Sequence, residues 1–399
     1  MPWYHGKLAT IAGGLALAAF CLFFYVRVVN MVWDFSTCAT GENRPIASDF
    51  ANHWLAAKLV LSGHAALIYN HDATNTIHKQ FFGPHLLCGS SWYYPPFFLF
   101  AVVPLGMLPY LQSFFISIIA ALVIYLFVLS RINHQPIILL LCLFFPGTYE
   151  NFIFGQNGFI SGILLGGGLL LLDRYPILSG CLFGLLGYKP PLVILTFIAL
   201  GFGRYWKTLI SAFTTIIILT LVSVAVFGLE VWLEYFKAML VPMKQMEGAS
   251  APFGLAPTFF AAIRNAGFGA RVAYPVQAAV MAVVLAGVGW VWQKKLAITI
   301  RGAVLVLGTL VFTPYSFVYE LAILALPLLW LWEEGRLHGR LPGELILLLL
   351  GWLLPFEARF FNQFHFFPGG KLQIAPLILL ALFFLALAKA KTALDRRAA

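Results

Sequence analysis

Charge is what this chain of 399 residues has least of. Only 10% of its residues are charged, and Asp and Glu together number 15. A soluble domain carries about 25% charged residues. That scarcity excludes a soluble globular enzyme, and equally a disordered chain kept open by its own charge. Cysteine is also rare. The five cysteines follow no metal-ligand spacing, and they are too few for a disulfide-built scaffold. Two phosphate-handling signatures are missing as well. There is no glycine-rich loop ending in Lys-Ser or Lys-Thr, and no Asp-x-Asp motif. A cytoplasmic nucleotide is therefore not expected as the direct substrate, and no metal or other cofactor is implied.

What is abundant is apolar sequence, at 61% of the residues. A membrane-spanning helix needs about 20 mostly apolar residues, so about 12 spans (roughly 10–13) would use about 240 positions. The expected fold is an all-α polytopic membrane protein, one integral-membrane domain over residues 1–399, with water-facing loops at 30–94 and 229–272. The first apolar run, 8–29, follows Lys7 and is longer than the core of a signal peptide. It reads as an uncleaved span. Later runs occupy about 95–130, 136–149, 157–172, 176–187, 190–203, 207–228, 273–293, 302–315, 317–332, 341–355 and 373–390. The run 95–130 is too long for one span and is broken by Pro104 and Pro109. This predicts a short dipping segment followed by a full helix.

The net charge of +10 would suggest nucleic acid in a soluble chain. Here it follows the rule that places basic residues on the cytoplasmic side. If loop 30–94 lies outside, the short inside segments carry Lys7, Arg131, Arg174, Arg204, Lys207, Lys294, Lys295, Arg301, Arg336, Arg340, Lys389, Lys391, Arg396 and Arg397. Both termini are then cytoplasmic, in a plasma (inner) membrane protein. Cys38 and Cys88 fall in the first outside loop. In an oxidising compartment they can pair; otherwise they are two free thiols.

The chemistry is expected in the outside loops. Ser48-Asp49-Phe50 opens a helix that ends near Gly63, with Ser48 as its cap and Phe50, Trp54, Leu55 and Leu59 as an apolar stripe lying on the membrane surface. Asp49 stands in its first turn. There the helix dipole favours the ionised carboxylate, either as a base for a hydroxyl or as a helix cap. Trp92-Tyr93-Tyr94-Pro95-Pro96-Phe97 combines a rigid turn with aromatics that suit a membrane interface or a sugar face. Gly155-Gln156-Asn157-Gly158 offers amide donors and acceptors in a tight turn. Gly187-Tyr188-Lys189-Pro190-Pro191 holds a lysine at membrane depth, which must meet an anion such as a lipid phosphate or else snorkel to the surface. Thr313-Pro314-Tyr315-Ser316 is a proline-broken turn followed by Tyr319 and Glu320. Glu320, in an apolar run, should be paired or face a cavity. Arg264, Arg271, Arg359, His365 and Lys371 are further outside cations. His64, His71, His78 and His85 recur every seven residues, a spacing that does not suit a metal on one helix.

In their order along the chain these motifs resemble glycosyltransferase family 87, of the multi-spanning GT-C class. The matching pieces are Ser48-Asp49-Phe50 with Trp54, Ala56, Ala57 and Gly63; Tyr94-Pro95-Pro96; Pro104-Leu105 with Leu108-Pro109; Gly155-Gln156-Asn157; Gly180 through Lys189-Pro190; and Thr313-Pro314-Tyr315-Ser316 with Tyr319-Glu320. They span residues 48–330. The chain departs from the family pattern at Tyr315, where His is frequent, and at Glu320, where Asp is frequent.

The resemblance implies a mannosyltransferase or related hexosyl- or pentosyltransferase. Its donor would be a polyprenyl-phosphate sugar, and its acceptor a lipid or glycan at the extracytoplasmic face. Asp49 matches the catalytic base. Tyr94, Gln156, Asn157, Tyr315 and Glu320 would line the substrate, with Lys189, Arg264 and His365 facing the leaving phosphate. Membrane lipids are expected partners, and no obligate protein partner is evident. A lipid-linked-glycan transporter or flippase, a polymerase or ligase acting on lipid-linked glycans, and a non-enzymatic assembly subunit are the alternatives.

Overall fold

Proline punctuates the helices. Pro96, Pro136, Pro146, Pro176 and Pro190 each open a helical segment, where the missing N–H has no intrahelical partner to lose. Pro109 precedes the helix Tyr110–Ser130 in the same way. The computed structural model describes residues 45–83, 92–239, 253–360 and 370–398, with residues 19, 21, 22, 25, 26, 33, 34, 39, 40 and 365–367. The described residues are overwhelmingly helical, apart from two short antiparallel ladders, Trp33–Asp34 with Ala39–Thr40 and His365–Phe367 with Gly370–Lys371. Most of the expected first span, and both Cys38 and Cys88, lie outside the described residues.

Among the described residues, four helices are long and apolar enough to cross a membrane: Tyr110–Ser130, Trp206–Phe227, Ala270–Trp292 and Ala375–Ala398. The pair Pro136–Leu143 and Pro146–Phe154, bent by 43°, could make a fifth crossing. Five other apolar helices among the described residues are shorter, including Gly158–Leu171, Pro190–Phe202 and Ile298–Phe312. The outer faces of the long helices are bare hydrocarbon. Ile116, Ile119, Val123 and Phe127 project from one of them, and Ile210, Ile217, Leu221 and Val226 from another. Continuous apolar surface of this kind belongs in lipid. The chain thus has the several apolar helices of a multi-pass membrane protein.

The core lies around Ile298–Phe312, in which every residue from Ile300 to Val311 is buried. Beyond Arg301, which pairs with Asp173, its sequence is almost wholly apolar, and a helix of that kind has no face to offer water. Around it pack Pro190–Phe202, Ala270–Trp292, Ala325–His338 and Ala375–Ala398. The run 95–130 divides as its prolines predict, into the short turns Pro96–Met107 and the helix Tyr110–Ser130.

The helix Ser48–Leu61 differs from expectation in two respects. Its cap is Ala47, in a left-handed conformation (φ 53°), so Ser48 is already the first helical residue. Burial also extends beyond the stripe of Phe50, Trp54, Leu55 and Leu59 to Ala51, His53, Ala56 and Ala57. The cause is the Pro96–Met107 segment folding against it. A side chain at Gly106 would start 2.8 Å from the Ala57 Cβ, and the Trp54 indole donates to the Leu108 carbonyl at 3.0 Å. The helix ends at Gly63 (φ 80°), where His64 N–H reaches back to the Leu59 carbonyl at 2.8 Å.

Candidate active site

The site is built at the start of three helical segments, beginning with Ser48–Leu61. A left-handed alanine costs roughly 1–2 kcal/mol, so the turn before Asp49 must be held by its surroundings. The Tyr110 hydroxyl holds it, donating to the carbonyls of Ile46 and, at 3.2 Å, Ala47. Gly155 (φ 65°) closes the other side. A Cβ there would lie 2.6 Å from the Phe50 Cβ and 2.8 Å from the Ala47 Cβ, so only glycine lets the two turns meet.

This meeting brings Gln156 to Asp49. The Gln156 amide donates from Nε2 to Asp49 Oδ2 at 2.8 Å. Its orientation is fixed from behind, because Oε1 accepts from the Tyr94 hydroxyl and from the Asn157 N–H, both at 3.2 Å. A backbone N–H only donates, so the oxygen must face it and the NH₂ must face the carboxylate. Burial raises the Tyr94 hydroxyl above its ordinary range, which keeps it a neutral donor. Tyr69 in turn donates to the Tyr94 carbonyl at 2.7 Å.

His53, one helical turn after Asp49, completes the web. Its Nδ1 donates to the Asp49 carbonyl at 2.8 Å, and its Nε2 accepts from Asn157 Nδ2 at 3.3 Å. Because a carbonyl can only accept, Nδ1 carries a proton, and because Nε2 faces the Asn157 NH₂ it carries none, so the ring is neutral. Burial lowers its pKa to about 4, against which the Asp49 carbonyl acts weakly. His53 was not among the residues singled out from sequence. The signal was its spacing of four residues from Asp49, which puts both on one helix face.

A second charged group adjoins the first. Lys189 and Glu320 form a buried ion pair, and the lysine lies over the rings of Tyr188 at 5.7 Å and Tyr319 at 5.6 Å. The anion met by Lys189 is thus a carboxylate of the same chain. Tyr188 links the two groups, its ring 5.9 Å from that of Tyr94 and its hydroxyl 3.2 Å from the Asn157 carbonyl.

Asp49, Tyr94, Gln156, Asn157, Lys189 and Glu320 therefore come together from sequence positions far apart. Tyr315 and Arg264 lie in a neighbouring aromatic cluster. Tyr315 meets the Tyr274 hydroxyl at 3.4 Å, and Arg264 lies over the Phe253 ring at 5.0 Å and donates to the Phe268 carbonyl at 3.2 Å. His365 lies in the short ladder, opposite Lys371, and its side chain lies outside the described residues. The spaced histidines make separate contacts: His78 with the Asn52 amide oxygen at 2.9 Å, His71 with Asn75 at 3.2 Å and His64 with Ser62 at 3.2 Å. His85 lies outside the described residues.

No curated protein and no solved structure matches the chain. The sequence model of glycosyltransferase family 87 matches residues 92–314, which takes in Tyr94, Gln156, Asn157, Lys189 and Arg264 and stops short of Asp49, Tyr315, Glu320 and His365. That match covers more than half of the chain, and the chain belongs to glycosyltransferase family 87, a family of transferase enzymes.

Proposed function

We propose that the protein moves a hexose, mannose-like, or a pentose from a polyprenyl-phosphate sugar to a lipid or glycan acceptor at the extracytoplasmic face of the inner membrane, within a GT-C-type bundle of about 12 spans. The observation that carries this reading is Asp49. Its carboxylate stands at the start of a helix and accepts from an oriented amide, Gln156, 2.8 Å away. A carboxylate kept ionised by a helix N-terminus and a neutral donor is suited to take a proton from a hydroxyl.

The reaction is one displacement. The acceptor oxygen attacks the anomeric carbon, and its proton passes to Asp49. The bond from the anomeric carbon to the phosphate oxygen breaks, and the polyprenyl phosphate leaves with the electron pair. Configuration inverts, so a β-linked donor gives an α product. The leaving phosphate carries its own charge and needs a cation more than an acid. Lys189 supplies that cation, with Arg264 and His365 as outer contributors. The isoprenoid chain lies against the apolar helices. No step calls for a metal.

The test is glycosyl transfer in reconstituted membranes from polyprenyl-phosphate mannose to a total lipid extract. Wild type should transfer, and Asp49→Asn, with unchanged melting behaviour, should lose at least about 1,000-fold, at the scale of a general base. Equal transfer by both proteins would remove Asp49 from the role. Absence of transfer from any polyprenyl-phosphate sugar would overturn the reading.

A further inference from the structure

The Lys189–Glu320 pair is asymmetric in a way that points to a substrate group. Glu320 accepts from Lys189 through Oε1, while Oε2 is buried and has no hydrogen-bond donor. Its side chain is only 8% exposed. Two buried glutamates elsewhere are better served: Glu333 accepts from Asn133 and twice from Arg336, and Glu334 from Thr299 and His338. Glu344 and Glu357 each keep one oxygen without a donor, as Glu320 does, and of these three Glu320 is the one paired with the lysine of the site, Lys189. A buried carboxylate oxygen without a donor is costly, and beside a substrate site a ligand can supply the donor.

The missing partner must be a donor. A phosphate offers only acceptors and carries the same charge as Glu320, so it is repelled from Oε2 and drawn to the ammonium of Lys189. A sugar hydroxyl has the opposite character. On the donor reading above, sugar and phosphate are joined in one molecule, so a phosphate beside Lys189 carries a sugar hydroxyl to within reach of Glu320. We infer that Glu320 is a specificity-determining residue that accepts a hydrogen bond from one hydroxyl of the donor sugar, while Lys189 takes the phosphate. The two ends of the ion pair thereby set the orientation of the donor relative to Asp49.

The experiment compares polyprenyl-phosphate mannose with its 2-, 3-, 4- and 6-deoxy analogues in the reconstituted enzyme. A site built around a substrate hydroxyl rejects the analogue lacking it strongly, so wild type should lose at least about 100-fold in kcat/KM on one of them. Glu320→Asp keeps the charge opposite Lys189 but withdraws the carboxylate by one methylene, and should shrink that penalty below about 10-fold. Use of every deoxy donor within a few-fold by wild type would overturn the inference, whether or not the variant folds. So would a Glu320→Asp enzyme slowed by one common factor on all donors, the mark of a purely structural residue. Both results leave the donor reading standing. Failure to transfer from any of these donors removes that reading, and this inference with it.

Discussion

Two polar regions lie at opposite ends of the same helices. At the start of Gly158–Leu171 and Pro190–Phe202 stand Asn157 and Lys189; just beyond their far ends, about 20 Å away, stand Asp173 and Tyr205. At the far end charges meet charges. The Arg301 guanidinium is buried between the rings of Tyr205 (5.4 Å) and Trp292 (5.6 Å) and bonds Asp173 at 2.7 Å. Glu344 and Lys389 join at 2.6 Å, and the same lysine donates to the Gly339 carbonyl at 2.8 Å. At the Asp49 end a neutral amide, phenols and an uncharged imidazole stand beside one ion pair, Lys189–Glu320, in which Glu320 has a single donor. The difference separates polar groups that fasten helices from groups arranged to meet a substrate.

Removing one charge at the far end should test that separation most severely. Lys389→Met leaves Glu344, with a fully buried side chain, without its cation. Breaking a buried pair from one side costs about 3–5 kcal/mol. The expected result is a large drop in thermal stability in detergent, with turnover per folded molecule unchanged. A variant of normal stability but low turnover would erase the distinction between the two ends.

The matching change at the site end should do the reverse. Gln156→Leu removes the 2.8 Å hydrogen bond to Asp49 while keeping a side chain of similar size. A hydrogen bond to a charged group is worth about 1.5–3 kcal/mol, so kcat should fall roughly 10- to 100-fold. The melting temperature should move by only a few degrees. Unchanged kcat would show that the amide does not orient the base.

Much of this organisation was legible in the sequence because proline and the hydrophobic runs mark helix starts locally. The split of 95–130 at Pro104 and Pro109 came from that information alone. The bend at Pro146 did not, since the single run 136–149 gave no sign of two helices, Pro136–Leu143 and Pro146–Phe154, bent by 43°. Ser48 looked like the cap by residue type, yet tertiary packing by Tyr110 and Gly155 imposes a left-handed Ala47 instead. Asp49, Gln156 and Lys189 each stood out as polar groups at helix boundaries. Their pairings did not. Lys189 meets Glu320 across 131 positions, and Gln156 meets Asp49 across 107, distances over which residue patterns carry no signal. His53 was hidden for another reason: a histidine on a mostly buried face reads as packing until its two neighbours are known.

That histidine also gives the gentlest test. His53 and His78 are both pushed down to about 4 by burial, from an ordinary value near 6.5. Between these values the unfolded chain binds protons that the folded chain refuses, so acid favours unfolding. The stability contributed by the neutral rings is fully present above about pH 6.5 and is lost as pH falls through the folded value near 4. Carboxylates titrate across the lower part of this window too, so the informative quantity is the difference between wild type and His53→Asn. Asparagine places an amide where Nδ1 stands, and can keep the bond to the Asp49 carbonyl without any proton to gain. The melting temperature of His53→Asn should fall less steeply than that of wild type between pH 6.5 and 4. Its turnover at neutral pH should drop only a few-fold, through loss of the contact with Asn157. Parallel melting curves would mean that the imidazole is already charged in the fold. Nε2 would then carry a proton facing the Asn157 NH₂, and the hydrogen bond drawn between His53 and Asn157 would not hold.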